Sequence, residues 1–385
     1  MRALLVVPRL PGTGFTGDRV RTELHLEALR TAGFEVVLVG GAPAGARPAL
    51  PEGAAEVFPV PLARAALPLA LAAAALRGDP LQSALQAGPW ARALSQAGDR
   101  FELVVWTLVR LWPHVRGRLP GAPVVLDFID ALAAAAEQAA ERDPALWRRL
   151  YWKLEAPRLA RAQRAAAEGA RLLLATTAQD AALLPPGTQP LGHGVRLGAR
   201  PDASPREPLV VFSGRLAYRP NELAARTLLR EVWPRVRREV AGARLLLGGA
   251  DAPPWLRATG GRDGVEVLSP VPDMPALLRR ARVAVAPVAL GTGFPNKLFE
   301  AFEAGTAVVA SEEVLQRAAV GTLRPPAASA RNPEEMSSAV VKYLRDPEIA
   351  AADGAAGRAF VEAHADRSAA VERLAALFRA IGPPC

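Results

Sequence analysis

The sequence predicts an α/β fold of two Rossmann-like domains facing a cleft, each a parallel sheet with helices on both faces. Three observations predict it. Short apolar runs alternate with segments of helical period along the chain, the signature of repeated βα units. The pattern restarts after a stretch rich in turn formers at 196–208. The 385 residues, half of them apolar, exceed what one core accommodates and suit two domains. The expected organisation is an N-terminal domain over 1–195, a linker over 196–208, a second domain over 209–362, and a C-terminal helix over 363–385 that crosses back.

In the first half, residues 3–7 read as a buried strand, followed by a Gly-rich loop and a helix over 19–31. Asp18 is the candidate N-cap of that helix, Val20, Leu24 and Ala28 lie on one face, and Gly33 stops it. Residues 35–39 form the next strand, ended by Gly40-Gly41. Further strands are expected at 103–109, 123–128 and 171–176, with helices between them, one of them the basic stretch around 147–164. After the linker, strands are expected at 209–212, 244–247, 265–268, 283–288 and 306–310. Helices are expected at 221–239, 274–282 and 295–304, and an amphipathic one over 368–381 closes the chain.

Composition narrows the function. The single cysteine, Cys385, excludes a disulfide scaffold and a thiolate zinc cluster. Four histidines without a helical pair argue against a metal centre. The net charge of +9 points to an anionic partner. At 5% aromatic residues, base-stacking platforms are thinly supplied, so no nucleic-acid partner is expected. The opening apolar run is too short for a signal peptide and no stretch approaches the ~18 residues of a span. The chain is therefore expected in the cytoplasm.

Two Gly-rich loops carry the chemistry. Gly12-x-Gly14-x-x-Gly17 follows a strand and opens a helix, which suits a phosphate approaching backbone amides, a dinucleotide, or a plain strand–helix connection. A dinucleotide also needs an acid at the end of the second strand, and Val39-Gly40-Gly41 offers none. The second loop is Gly291-Thr292-Gly293-Phe294-Pro295-Asn296-Lys297, leading into Leu298-Phe299-Glu300. Lys297 can meet a phosphate as a point charge, and Glu300, one turn on, can accept two hydrogen bonds from a ribose diol. A solvated i,i+3 ion pair would leave the same trace. Of 47 basic residues only Lys153, Lys297 and Lys342 are lysine, so a lysine at this point is informative.

These residues carry a family resemblance. From Gly291 to Ser311 the chain resembles the nucleotide-sugar motif of retaining GT-B glycosyltransferases of the large group 1 (GT4-like) family. Glu300 matches the second of its two glutamates, the ribose ligand, while Thr292 stands in place of the first. Bacterial exopolysaccharide sugar transferases look most similar, sharing the Asn296-Lys297 pair, Gly17-Asp18-Arg19-Val20-Arg21, and Tyr218-Arg219-Pro220-Asn221 after the second domain's first strand. The resemblance implies transfer of a sugar from a nucleotide-diphosphate donor, UDP-linked, to a glycan or lipid-linked acceptor in polysaccharide biosynthesis. It implies retained configuration, no metal and no cofactor.

It also implies roles. Arg215 and Lys297 meet the leaving diphosphate, with Arg219 a further candidate, and Asp130 orients the sugar or handles a proton. Asp130 stands where relatives have a His-Asp pair, with Ile129 replacing the histidine; read locally, it is a helix N-cap. Gly14, Gly17, Asp18, Arg110, Thr292, Gly293, Phe294, Pro295, Asn296, Glu300 and the backbone near Val271 complete the substrate-binding set. A nucleotide-sugar epimerase of the same architecture and a non-catalytic sugar-nucleotide binder are the alternatives. The stretch from Trp147 to Arg164, with six basic residues, one acid and interleaved aromatics, fits either a solvated helix face or peripheral contact with the inner face of a membrane.

Overall fold

The computed structural model describes residues 1–11, 17–46, 48–62, 64–192, 194–200, 205–288 and 292–382. They divide into two units. The first comprises Met1–His193, Thr292–Phe294 and Ser368–Cys385; the second comprises Gly194–Gly291 and Pro295–Arg367.

The first unit is built on seven parallel strands. They are β1 (Arg2–Val7), β2 (Glu35–Pro43), β3 (Glu56–Leu62), β4 (Leu103–Thr107), β5 (Val124–Asp127), β6 (Leu172–Ala175) and β7 (Thr188–Pro190), in the order β3-β2-β1-β4-β5-β6-β7. Alternate residues feed two cores. Leu4, Val6, Val37, Val104 and Trp106 pack on one side. Ala3, Leu5, Val36, Leu38 and Val105 pack on the other, with Leu24 and Ala28 of the helix Gly17–Thr31. Both faces buried explains why these strands read as continuous apolar runs rather than alternating ones. The C-terminal helix Arg367–Ile381 lays Leu374 and Phe378 into the second core, so it packs back on the first unit as expected.

Three local expectations are corrected. The helix begins at Gly17, so Asp18 sits inside its first turn instead of capping it, and its carboxylate accepts from Arg9 (2.7 and 2.9 Å). Strand β2 continues four residues past Val39. A Cβ on Gly41 would lie 2.4 Å from the Pro8 carbonyl, so glycine here permits the close approach that lengthens the strand. The longer strand still offers a dinucleotide no acid, because its end reads Gly40-Gly41-Ala42-Pro43. Strand β3 was not expected at all, since Pro59 and Pro61 interrupt it. It lies at the sheet's edge, where every second N–H faces away from the sheet and proline costs little.

The second unit repeats the plan with β8 (Glu207–Ser213), β9 (Arg244–Gly248), β10 (Val265–Leu268), β11 (Ala281–Ala286), β12 (Ala307–Ser311) and β13 (Ala328–Ala330), ordered β10-β9-β8-β11-β12-β13 and parallel throughout. The helix expected over 221–239 is three pieces: Arg219–Thr227, a π turn at Leu228–Val232, and Trp233–Glu239. Pro234 has no N–H for the Arg230 carbonyl and its ring crowds that turn, which widens the helix there. The helix expected at 295–304 runs Asn296–Glu303, with Pro295 just outside it.

Candidate functional site

In an open parallel sheet, ligands bind beyond the carboxyl ends of the strands, at the point where the strand order reverses. In the second unit that point lies between β8 and β11. Strand β8 ends at Ser213 and turns through Gly214, while β11 leads to the helix Asn296–Glu303. The two come together at Lys297. Its Nζ donates to Asn221 Oδ1 (2.7 Å) and lies 4.3 Å from the centre of the Phe212 ring. Asn221 Nδ2 in turn donates to the Arg215 carbonyl (2.9 Å). The lysine is thus held across the end of β8, and Asn221 is the residue that holds it.

Beneath this corner two turns touch backbone to backbone. Gly214 N donates to Gly248 O (3.1 Å), and a Cβ on Gly249, whose φ is 152°, would lie 1.7 Å from Gly214 O. Gly249→Ala must therefore push the Gly214 turn out of place. We expect it to cost about 2–3 kcal/mol or more, seen as a lower melting temperature, and to remove any stabilisation by UDP. A variant that melts like the parent would show that the turn is not constrained. Val271 also belongs to this end of the sheet: its Cγ2 would lie 3.0 Å from a Cβ on Gly248.

Electrostatics sharpen the corner. Lys297 and Glu300 are half-buried, and the protein packed around them strips water from their charged groups. Loss of water pushes the Lys297 ammonium down to about 7, while the Glu300 carboxylate pulls it up and Arg317 pushes it further down. Burial likewise pushes the Glu300 carboxyl up to about 7; Lys297 opposes this and Glu303 adds to it. Desolvation thus draws both groups toward neutrality, a displacement that functional sites commonly show.

Arg215, on the loop after β8, donates to Asp251 Oδ2 (2.8 Å), with both side chains half exposed. Such a pair contributes about 0–1 kcal/mol and exchanges readily for a phosphate. Asp251→Asn should therefore leave UDP affinity unchanged or raise it up to about threefold; a tenfold loss, read by calorimetry, would show that Arg215 depends on its carboxylate. Arg219 opens the next helix and pairs with Glu222 (3.3 Å).

The first unit holds a second constellation at the ends of β4 and β5. Both strands leave through strained residues, Leu108 and Ile129, each at φ 65°. For a β-branched residue that conformation is a genuine outlier, and such strain collects at functional sites. Asp127 holds the turn by accepting from Ile129 N (2.9 Å), and is itself held by Arg21 and by His25 (2.7 Å), all three fully buried. Burial alone would raise the Asp127 carboxyl, but Arg21 and His25 hold it well below the usual carboxylate range.

Asp130 follows this turn. It caps no helix: the helix Leu132–Arg142 is preceded by Ala131 and has no side-chain cap. Its Oδ1 is buried without a hydrogen-bond partner among the described residues, and so is Nε of Arg110. Two unsatisfied polar atoms of opposite charge in one unit suit a polar ligand. Burial and the neighbouring Asp180 push the Asp130 carboxyl up to about 7, against the pull of Arg110. Asp180 was not anticipated, although Thr177-x-x-Asp180 has capping-box spacing. Its carboxylate accepts from Thr177 Oγ1 (2.6 Å), Ala131 N (3.1 Å) and Gly293 N (3.1 Å).

The structure thus separates the expected residues into two sets. Asp130, Arg110, Thr292, Gly293 and Phe294 belong to the first unit, Phe294 packing on Gly192. Lys297, Glu300, Asn296, Pro295, Arg215 and Val271 belong to the second. Gly17 and Asp18 open the first helix, and Gly14 lies outside the described residues.

Comparison with known proteins bears on this arrangement. Residues 207–346 match the family model of glycosyl transferases group 1. No curated protein sequence matches the chain. Among solved structures, sucrose-phosphate synthase from Thermosynechococcus elongatus superposes with a TM-score of 0.72 at 16% identity, over 99% of each chain. Anabaena HepE, solved in complex with UDP-glucose, gives 0.69 at 12% identity, over 99% of this chain and 100% of that one. WaaG, a glycosyltransferase involved in lipopolysaccharide biosynthesis, gives 0.61 at 17% identity, over 98% and 99%. Likeness at such identities is likeness of fold, and the shared fold is the GT-B pair of Rossmann-like sheets. Fold and matched segment agree: the chain has the GT-B architecture, and its residues 207–346 match the family of group 1 glycosyl transferases.

Proposed function

We propose that the chain transfers a sugar from a UDP-linked donor to a glycan or lipid-linked acceptor of polysaccharide biosynthesis in the cytoplasm, retaining anomeric configuration and needing no metal. The observation that carries the reading is the β8–β11 corner. An ammonium held at the end of β8 and a carboxylate one turn along the same helix match the two polar ends of a nucleoside diphosphate. Lys297 meets the diphosphate and Glu300 accepts from the ribose hydroxyls. The complex of HepE with UDP-glucose supports the choice of donor, and the Asn296-Lys297 pair supports the likeness to exopolysaccharide sugar transferases.

The chemistry follows from charge. As the anomeric C–O bond breaks, its electron pair passes to the diphosphate and positive charge develops on the sugar ring. Lys297 and Arg215 stabilise the departing diphosphate electrostatically, the term that dominates most enzymic rate enhancement. The acceptor hydroxyl bonds to the anomeric carbon on the face the diphosphate leaves, and its proton goes to the departing phosphate oxygen. No protein nucleophile takes part. Asp130, with Arg110 beside it in the first unit, orients the sugar or its acceptor.

The test is to incubate the protein with nucleotide sugars and a lipid-linked or oligosaccharide acceptor, and to identify the products. Free UDP with an extended acceptor supports the reading. An altered sugar still attached to its nucleotide indicates an epimerase. Melting stabilisation by UDP, which grows as RT ln(1 + [L]/Kd), without any turnover indicates a binding protein. Stabilisation by NAD instead of UDP would move the chain out of this class.

A further inference from the structure

We infer that the outer face of the helix Leu146–Ala167 docks the first unit on the surface of an anionic lipid bilayer, the helix lying in the interface and not crossing it. The helix turns Glu155, Ala156, Leu159, Ala162 and Ala166 toward the protein. The opposite face of such a helix is ordinarily polar. Here its first half is apolar: Leu146, Trp147, Leu150 and Leu154 are 76%, 68%, 60% and 52% exposed. Their spacing puts all four on one stripe. Single exposed leucines are common on protein surfaces, whereas a continuous apolar stripe that includes a tryptophan marks an interaction surface.

Charge complementarity selects the partner. Lys153 flanks the stripe, and Arg161 and Arg164 continue it along the same face. The helix's one acid, Glu155, is fully buried, where its carboxylate accepts from the backbone of Leu81 (2.7 Å) and Gln82 (2.9 Å). Within the helix the outward face therefore carries positive charge alone, and the exposed Glu168 lies just past its C-terminal end. An apolar stripe beside a basic one is the pattern of a helix that rests at the boundary of headgroups and acyl chains. A second copy of the chain would bring arginine against arginine. No helix among the described residues is long and apolar enough to span a membrane, which leaves the surface as the site of contact.

A neighbouring element repeats the anomaly. The helix Leu67–Arg77 is apolar nearly throughout, yet only Ala74 is buried, and Leu69 and Leu76 are 77% and 90% exposed. Gly78, which ends it, lies beside the Arg161 guanidinium. Docking would also bring the site in the first unit near the lipid, since the inner side of Leu146–Ala167 packs on the turn Val109–Leu111 that carries Arg110.

The experiment is flotation of the full chain with vesicles of phosphatidylcholine alone or mixed with phosphatidylglycerol. We expect binding to the mixed vesicles, reversal by high salt, and at least a tenfold loss in the double variants Trp147→Ser/Leu150→Ser and Arg161→Glu/Arg164→Glu. Brominated acyl chains should quench fluorescence that Trp147→Phe lacks, although that variant still floats. All substituted side chains are exposed, and unchanged far-ultraviolet dichroism and melting show that the variants fold. Equal binding to neutral vesicles, no binding by the parent, or unimpaired double variants would each overturn the inference. So would a parent dimer that Trp147→Ser/Leu150→Ser converts to monomer, because the stripe would then be covered by a second copy.

Discussion

Lys297→Met should slow sugar transfer by about 10²–10³-fold, the usual loss when one preorganised group facing a developing negative charge is removed. The group is well placed for that role. Asn221 fixes its Nζ across the end of β8, so no reorganisation accompanies the reaction, and enclosure makes its charge count for more than in water. Binding of uridine, which has no phosphate, should change by less than about threefold, since the interaction removed is not one the nucleoside makes. The contrast is the informative quantity. If Lys297→Met weakens uridine and UDP-sugar equally, the lysine acts by holding the helix Asn296–Glu303 in place and has no part in meeting the leaving group. Asn221→Ala offers a second arm: it leaves the ammonium present but unheld, and should lower turnover with a smaller effect on nucleotide affinity.

How far this site could be read from the chain depends on sequence separation. The strand over 265–268 emerged where expected, because its short apolar run is bounded by turn formers on both sides. The helices Pro333–Arg345 and Pro347–His364 lie outside the expected elements although Asn332 and Asp346, each followed by proline, are plain helix starts, and both side chains do cap. Lys297 stood out through its rarity in an arginine-rich chain. Asn221 stands in the Tyr-x-Pro-Asn element of the resemblance, but it is 76 residues away, and nothing in an Asn near a helix start says that it will hold that lysine. Asp180 is likewise 113 residues from the Gly293 amide it accepts from. Local pattern reveals which residues line the loops. Which of them meet is decided by strand order, and strand order is invisible until the sheet is assembled.

Glu300→Ala should weaken UDP-glucose binding by about ten- to a hundredfold, the loss of roughly 1.5–3 kcal/mol expected when a charge-assisted hydrogen bond is removed. The pH dependence of that binding tests the assignment more strictly. The diphosphate of UDP-glucose is a diester without an ionisation near neutrality, so the titrating groups belong to the protein. In the proposed role Glu300 accepts from ribose most strongly when ionised, and burial pushes its carboxyl up to about 7; affinity should therefore fall as pH drops through that value. In its proposed role Lys297 attracts the diphosphate only when protonated, and burial pushes its ammonium down to about 7; affinity should also fall as pH rises through it. The parent should bind best near pH 7, with an acid limb from Glu300 and an alkaline limb from Lys297. Glu300→Gln should remove the acid limb and, because the lost carboxylate had been holding the ammonium up, move the alkaline limb to lower pH. Lys297→Met should remove the alkaline limb and move the acid limb to higher pH, since the ammonium had been holding the carboxyl down. Reciprocal displacement of this kind arises only from two groups that sense each other and the same ligand. Calorimetric titrations of the three proteins across this range that show fixed limbs, or none, would place the nucleotide elsewhere than the β8–β11 corner.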